Sequence, residues 1–421
     1  MNALLDDLAW RGFLAHTTDL DALRDDLDAG SVRFYVGFDP TAPSIHMGNL
    51  VQLMLARRFQ AAGHRPVLVV GGSTGMIGDP KQASERALNE KDVIAAWVER
   101  IRAQVSGFVD FDGPAAAIVV NNYDWTAPLS ALDFLRDIGK YFSINRMLDR
   151  EVVKSRLESG ISYTEFSYVL LQSLDYLELF RRYGCTLQTG GSDQWGNITA
   201  GVELIRRVEG ARAHALATPL LTKADGTKFG KTESGTVWLD PSLTSPYAFH
   251  QFFLNAEDAM VVSYLKIFSE RSHDEIDELA RLTAEQPHLR AAQRALADDA
   301  TDLVHGKAAR MAATLAAEAL FGRGDLRAID EALMGQIGRE LQSADSALVD
   351  GELPSVVDVL VWSGVVASRG EARRAITEGG AYINNVRVSD TEAWLSLDDL
   401  LADGYVIVRR GKKTVGAVRL H

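Results

Sequence analysis

Val32-Arg33-Phe34-Tyr35-Val36-Gly37-Phe38-Asp39-Pro40-Thr41-Ala42-Pro43-Ser44-Ile45-His46-Met47-Gly48-Asn49 begins as one kind of secondary structure and ends as another. The run 32–37 is apolar, β-branched or aromatic apart from one arginine, which reads as a buried parallel strand. Asp39-Pro40-Thr41 breaks it. Leu50, Leu53, Met54, Leu55 and Phe59 then recur at helical spacing as far as Gly63, a suitable C-terminal stop. A helix starting near Ile45 to Gly48 leaves its first backbone N–H groups unpaired and facing the loop, where they and the helix dipole favour an anion. Gly48 lacks a Cβ, so a flat ring or a phosphate can approach the backbone there. Thr41 and His46 add side-chain donors without bulk.

Taken alone, such a match is a capped helix with an incidental histidine. Its meaning changes with a second stretch about 180 residues on, Lys228-Phe229-Gly230-Lys231-Thr232, preceded by Leu220-Leu221-Thr222-Lys223-Ala224-Asp225-Gly226-Thr227. Glycines, small polar residues and lysines 223, 228 and 231 make a cationic loop rather than a core element. Such a loop can close on a polyphosphate and stabilise charge that develops as pyrophosphate leaves. The two stretches read as halves of one triphosphate clamp.

Between them, 164–182 has the spacing of an amphipathic helix. Tyr168, Gln172 and Asp175 fall at i, i+4 and i+7, so they share one face, flanked by Leu170, Leu171, Leu174 and Leu177. Polar residues so placed line a pocket. A short strand at 185–188 brings Gln188, Asp193 and Gln194 to the carboxyl end of a parallel sheet, where α/β folds bind ligands.

The motifs carry a resemblance. Tyr35-x-Gly37-Phe38-Asp39-Pro40-Thr41 with His46-x-Gly48, the Gly78-Asp79-Pro80 turn, Gly190-Gly191-Ser192-Asp193-Gln194-Trp195-Gly196-Asn197 and Lys228-Phe229-Gly230-Lys231-Thr232 occur in order. Together they resemble the class I aminoacyl-tRNA synthetases, specifically the bacterial tyrosyl-tRNA synthetases, over nearly the whole chain. The resemblance implies ligation of tyrosine to tRNA through tyrosyl-adenylate, with ATP and Mg2+ entering as a substrate complex and no tightly bound cofactor or protein metal site. It gives Thr41, His46, Lys228 and Lys231 catalytic roles on the phosphate side. Tyr168, Gln172 and Asp79 would hold the α-ammonium group, Tyr35 and Asp175 the phenolic hydroxyl, and Gln188 would support that pocket. Gly37, Asp39, His46, Gly48, Asn49, Asp193, Gln194 and Lys231 would meet ATP. A homodimer is implied as well.

Two positions depart from the family's pattern. Asn49 stands where a second histidine is common, and it can still donate a hydrogen bond to ATP. The run Lys81-Gln82-Ala83-Ser84-Glu85-Arg86 is shorter than the family's, leaving Lys81 and Arg86 as candidate phosphate-side cations.

The chain of 421 residues has room for two or three domains. We read a Rossmann-like parallel α/β catalytic domain at 1–235, with a helical lead-in to about 30, strands near 32–37, 66–71, 115–121 and 185–188, and a connective insertion at about 122–180. Residues 240–340 read as all helical, on the anticodon side by resemblance, and 341–352 as a small-residue acidic linker. Residues 353–421 form two helices and a turn followed by β structure with basic ends. This resembles the small α+β RNA-binding fold shared by a ribosomal small-subunit protein and some pseudouridine synthases. Arg369, Arg373, Arg374, Arg409, Lys412 and Lys413 would meet phosphates there.

A net charge of −13 would not by itself suggest RNA. The region 351–421 holds nine Lys/Arg and nine Asp/Glu, so the acidic excess lies upstream, where it suppresses non-specific binding. One cysteine excludes an intrachain disulfide. No apolar run approaches a membrane span, and the acidic N-terminus is no signal peptide, so the expected location is the cytoplasm. Three rivals stay open. They are a tryptophanyl relative, which the Tyr35 and Asp175 pair opposes; a binding-only RNA protein, which has no need of Thr41, His46, Lys228 and Lys231; and a nucleotidyltransferase, which the helical region and tail disfavour.

Overall fold

The computed structural model describes residues 3–80, 88–158, 160–232, 235–341, 343–346, 352–411 and 414–421, with Lys231 and Thr232 described by their backbone only. Contacts divide the chain into two units, Met1–Leu243 with Ala256–Leu296, and Thr244–Asn255 with Ala297–His421.

The first unit is built on a six-stranded sheet in the order β1-β6-β5-β2-β3-β4. Its strands are β1 (His16–Thr17), β2 (Arg33–Phe38), β3 (Arg65–Val70), β4 (Ile118–Asn121), β5 (Cys185–Gly191) and β6 (His214–Thr218). Only β1 runs antiparallel to its neighbour; the other pairings are parallel. The apolar runs of β2 and β3 are buried on both faces, as a parallel sheet covered by helices requires. The Met47–Ala61 helix crosses from β2 to β3 and buries Leu50, Leu53, Met54 and Phe59. The Phe59 ring lies 4.8 Å from that of Phe34 on β2.

Strands β1 and β6 lie outside the four expected ones. His214-Ala215-Leu216-Ala217-Thr218 lacks β-branched apolar residues, so its sequence gives little strand signal, yet all five residues are buried beside β5. Tertiary pairing decides it. The chain leaves β2 for β3 on one side and returns as β5 on the other, so the strand order reverses at β2. That reversal places the sheet's ligand-binding crevice at the carboxyl ends of β2 and β5.

The Tyr163–Tyr183 helix starts at Ser162, whose hydroxyl accepts from the Glu165 N–H at 3.2 Å, and stops at left-handed Gly184. Before it, the insertion is a series of short helical turns tied down by a buried ion pair, Arg156 Nη1 to Glu165 Oε2 at 3.2 Å. At the end of the lysine loop, β7 (Lys231–Thr232) and β8 (Gly235–Thr236) form a small antiparallel pair.

In the second unit, a five-stranded sheet runs in the order β11-β10-β12-β13-β9. Its strands are β9 (Ala344–Ser346), β10 (Ala381–Ile383), β11 (Val386–Arg387), β12 (Tyr405–Arg410) and β13 (Thr414–Leu420). One core joins the sheet to the tail's own Val356–Trp362 and Arg369–Thr377 helices through Val359, Leu360, Ile376, Val406 and Val418. The other joins Tyr405, Ile407 and Ala417 to Ala316, Leu320, Met334 and Ile337 of the Lys307–Leu320 and Glu331–Glu340 helices. The sheet is thus shared by two helical layers.

Two sequence expectations change here. The region 240–340 is helical but divided between the two units. Within the segment read as a linker, Ala344–Ser346 forms β9 in parallel with β13. An edge strand is held by backbone hydrogen bonds, so Ala-Asp-Ser needs no apolar pattern to join.

Candidate active site

The loop after β2 is fixed at several points. Ser44 is buried; its hydroxyl donates to the Ile45 carbonyl at 2.8 Å and accepts from Gln104 Nε2 at 3.0 Å and the Asp240 N–H at 3.2 Å. Gln104 Oε1 accepts from the Ile45 N–H at 3.0 Å. His46 is then delivered as the helix N-cap. Its Nδ1 accepts from the Gly48 N–H at 3.0 Å, while Asn49 Oδ1 accepts from the His46 N–H at 3.1 Å. A methyl group at Gly48 would stand 2.9 Å from His46 Cε1, so the glycine makes room for the imidazole itself. Asn49 therefore closes the cap with its oxygen and keeps its amide nitrogen to donate elsewhere. Thr41, His46, Gly48 and Gly37 are exposed around this helix start.

The second half of the sequence motif meets the first. Gly230 adopts φ +83°, and a methyl group there would stand 2.6 Å from Met47 Cβ. The Val237 N–H donates to the Gly230 carbonyl at 2.9 Å, the Met47 N–H to the Val237 carbonyl at 3.3 Å, and the Leu239 N–H to the Ile45 carbonyl at 3.0 Å. Lys228 pairs through its backbone with Thr222 and is exposed. The Lys231 side chain, like Lys81 and Arg86, lies outside the described residues.

Deeper in the crevice, Tyr35 on β2 stands directly opposite Gln188 on β5. Asp39 follows β2 and accepts from Tyr168 OH at 2.6 Å through Oδ2 and from Thr74 Oγ1 at 2.6 Å through Oδ1. Asp175 accepts from Trp125 Nε1 at 2.8 Å and from Asn122 Nδ2 at 2.9 Å. Burial pushes the Asp175 carboxyl up to about 7, against the opposing pull of those two donors. Burial raises the Tyr35 hydroxyl well above its ordinary value, and Asp175 adds to the rise. Tyr35 OH, Gln172 Oε1 and Gln188 Oε1 are buried and make no hydrogen bond among the described residues. Unpartnered buried polar atoms of this kind are rare, and Tyr35 and Gln188 hold facing positions on β2 and β5.

A second polar group lies at the start of the helix after β5. Asp79 accepts from Gln194 Nε2 at 2.9 Å and from Asn197 Nδ2 at 3.1 Å, and Asn197 also donates to Gln194 Oε1 at 3.0 Å. Arg150 donates to Asn197 Oδ1; burial lowers its pKa while the nearby Asp79 opposes that. Asp193 lies against Gly191, where a methyl group would stand 2.5 Å from Asp193 Oδ1.

The structure thus gathers Tyr35, Asp39, Asp79, Tyr168 and Asp175 closely enough that the acids shift the tyrosines. Sequence reasoning missed Ser44, Thr74, Gln104, Asn122, Trp125, Arg150 and Asn197. Asn122-Tyr123-Asp124-Trp125 did carry a signal, as a polar and aromatic run directly after an apolar strand. Among the described residues no cluster of three or more His, Cys, Asp or Glu is arranged to hold a metal ion, and no helix is long and apolar enough to cross a membrane.

In the second unit Arg369, Arg373 and Arg374 are exposed on or at the start of the Arg369–Thr377 helix. Arg369 pairs with Asp358 at 2.6 Å and Arg373 with Glu392 at 3.6 Å. Arg409 is turned inward, its guanidinium 4.0 Å over the Tyr382 ring and its Nη1 donating to the Gly411 carbonyl at 2.7 Å. Lys412 and Lys413 lie outside the described residues.

Comparison with known proteins agrees along the chain. A family model of "tRNA synthetases class I (W and Y)" matches residues 27–322, and one of the "Tyrosine--tRNA ligase SYY-like C-terminal domain" matches 336–417. The chain is 62% identical to a "Tyrosine--tRNA ligase" of Cutibacterium acnes, covering 99% of this chain and 100% of the relative. It is 57% identical to one of Streptomyces avermitilis, covering 100% and 99%. Among solved structures, a C-terminally truncated mitochondrial tyrosyl-tRNA synthetase of Coccidioides posadasii is 30% identical with a TM-score of 0.66, covering 74% of this chain and 91% of that one.

Proposed function

The chain belongs to the class I tRNA synthetases of the tryptophan and tyrosine type, as a tyrosine–tRNA ligase that joins tyrosine to its tRNA with ATP, and on that premise we propose how its residues divide the work. The tyrosine carboxylate attacks the α-phosphate of ATP, which enters with Mg2+, giving tyrosyl-adenylate and pyrophosphate. A terminal hydroxyl of the tRNA then takes the acyl group. The first step asks no side chain to act as nucleophile or base; positioning and charge stabilisation carry it.

The phenol ring reaches down to Tyr35 and Asp175, with Gln172, Gln188 and Tyr168 along its length. The observation that carries this reading is the unpartnered buried Tyr35 OH, near enough to the oriented Asp175 carboxyl to be raised by it. Gln172 Oε1 and Gln188 Oε1 are likewise buried and without a hydrogen bond among the described residues. A site built around a hydroxyl rejects the analogue that lacks it, and tyrosyl-tRNA synthetases are the established example, at about 10⁵ against phenylalanine. Asp79 is the counter-charge for the α-ammonium group. Asp39, Asp193, Gln194 and the amide nitrogen of Asn49 serve the nucleoside and carboxylate, with Gly37 and Gly48 allowing close approach. Thr41 and His46 act on the γ-phosphate side, while Lys228 and Lys231 stabilise the departing pyrophosphate. Arg369, Arg373 and Arg374, with Lys412 and Lys413, would receive tRNA phosphates. Arg409 supports that surface from its stack on Tyr382. A homodimer fits the exposed Leu132, Leu135, Ile144 and Tyr163 of the insertion, and a cytoplasmic location fits the single cysteine.

The test is exchange of labelled pyrophosphate into ATP, run separately with tyrosine, phenylalanine and tryptophan and without tRNA. Exchange with tyrosine alone supports the reading. Exchange with tryptophan overturns the pocket assignment, and exchange with none overturns the activation step.

A further inference from the structure

The Asp258–Phe268 helix carries no residue of the clamp, yet it touches the lysine loop at two points. Tyr264 OH donates to the Thr222 carbonyl at 2.8 Å. The Phe229 ring, between Lys228 and Gly230, lies 4.3 Å from the Tyr264 ring and 5.6 Å from that of Phe268. Thr222 and Lys228 are paired across the base of the loop, and the Lys223 N–H donates to the Thr227 carbonyl at 2.8 Å. Holding Thr222 therefore holds the strand opposite Lys228.

The far end of that helix is held in turn. Arg58 Nη2 donates to the Ser269 carbonyl at 2.7 Å, and Arg11 donates to the carbonyls of Lys266 at 3.1 Å and Arg271 at 2.9 Å. The bonds to Lys266 and Ser269 satisfy carbonyls that a helix C-terminus leaves without intrahelical partners. Arg58 belongs to the Met47–Ala61 helix, whose first residue presses on Gly230. The contacts close a circuit: Met47, Arg58, Ser269, Tyr264, Thr222, Phe229, Gly230 and back to Met47.

Resting on the functional reading above, we propose that Tyr264 is a positioning residue for Lys228. Its hydroxyl sets the base of the pyrophosphate-side loop in register with the helix that presents His46. Tyr264 does not touch the reacting atoms; it acts through the Thr222 carbonyl and the Phe229 ring.

The experiment compares wild type, Tyr264→Phe, Lys228→Ala and the double variant in tyrosine-dependent pyrophosphate exchange, with KM for tyrosine and the melting temperature measured on each. Tyr264→Phe keeps the ring stack and removes one hydrogen bond, so the exchange rate should fall about tenfold with KM for tyrosine unchanged. In the Lys228→Ala background the same change should cost less than about twofold, because a positioning residue has nothing left to position. Losses that multiply, a rise in KM for tyrosine alongside the rate, or an unchanged rate each overturn the proposal. Amide hydrogen exchange gives a readout independent of activity. Residues 222–228 should exchange faster in Tyr264→Phe while 47–61 do not change, and equal protection at 222–228 overturns the anchor. Absent exchange in wild type would instead overturn the functional reading, and this proposal with it.

Discussion

Gly230 and Met47 touch backbone to side chain across the two halves of the clamp, so closely that a methyl group added at the glycine would clash, standing only 2.6 Å from Met47 Cβ. The glycine also sits at φ +83°, where an L side chain is strained. Gly230→Ala should therefore push the lysine loop off the helix start while leaving the amino-acid pocket intact. We expect the exchange rate to fall by roughly 10²-fold, since a displacement of about 1 Å has that effect. KM for tyrosine should stay level. Steady-state exchange kinetics check both, and a shared loss in rate and tyrosine affinity would count against this geometry.

Removing the Lys228 ammonium tests the charge itself. Lys228→Ala should lower the activation rate by roughly 10²–10³, the usual loss for one donor aimed at developing charge. Ground-state tyrosine binding, followed by equilibrium dialysis, should hardly change.

The Tyr35 hydroxyl offers a different signature, because it is buried and makes no hydrogen bond among the described residues. Tyr35→Phe takes away an unsatisfied group, worth about 1–3 kcal/mol, so the free protein should melt no lower than wild type. Tyrosine should nonetheless be used at least tenfold less well, and the preference over phenylalanine should narrow. A lower melting temperature would mean that the hydroxyl already has a partner in the free protein.

Asp175 predicts a pH dependence. Its carboxyl is raised from 3.8 to about 7 by burial. Between those values the folded chain holds a proton that the unfolded chain has lost, so this group's contribution to stability is complete below about pH 4. It is lost as the pH rises through about 7. The sum is up to about 4 kcal/mol at 1.36 kcal/mol per unit. Asp175→Asn cannot titrate. Any advantage of wild type over this variant in urea denaturation should shrink steadily from pH 4 to pH 8, and a gap that stays constant would contradict the raised value.

The Arg156 and Glu165 pair is 4% and 2% exposed, so neither charge has water to fall back on. Glu165→Gln should destabilise the protein by about 3–5 kcal/mol, the usual result of removing one partner of a buried ion pair. Replacing both partners with apolar residues of similar volume should recover much of that loss, as chemical denaturation of the single and double variants would reveal.

Periodic segments were the easiest to read. The helix expected at 164–182 runs Tyr163–Tyr183, and the one expected from Ile45–Gly48 starts at Met47. Both combine a regular apolar face with a polar start and a glycine at or near the end. What escaped notice had no period to give it away. Asn122 and Trp125 sit in one short turn, and only the fold sets them beside Asp175. Gln104 lies on the Lys91–Ser106 helix, which belongs to none of the motifs, and its partner Ser44 is 60 residues away. Gly48 was read as room for a ligand, whereas in the fold its bare Cα first makes room for the His46 ring.

The sheet that ends the chain has helices on both sides, and the outer layer comes from residues that precede 341. Asn385, left-handed at φ 67°, fastens that arrangement by donating from Nδ2 to the Ala319 carbonyl at 2.6 Å. A chain stopped at residue 340 would therefore bare an oily wall on the Lys307–Leu320 and Glu331–Glu340 helices, and a separately expressed 341–421 would bare the matching one. The two pieces, made together, should find each other and copurify, so the region beyond residue 340 behaves less like a tethered accessory than like the missing half of a split protein.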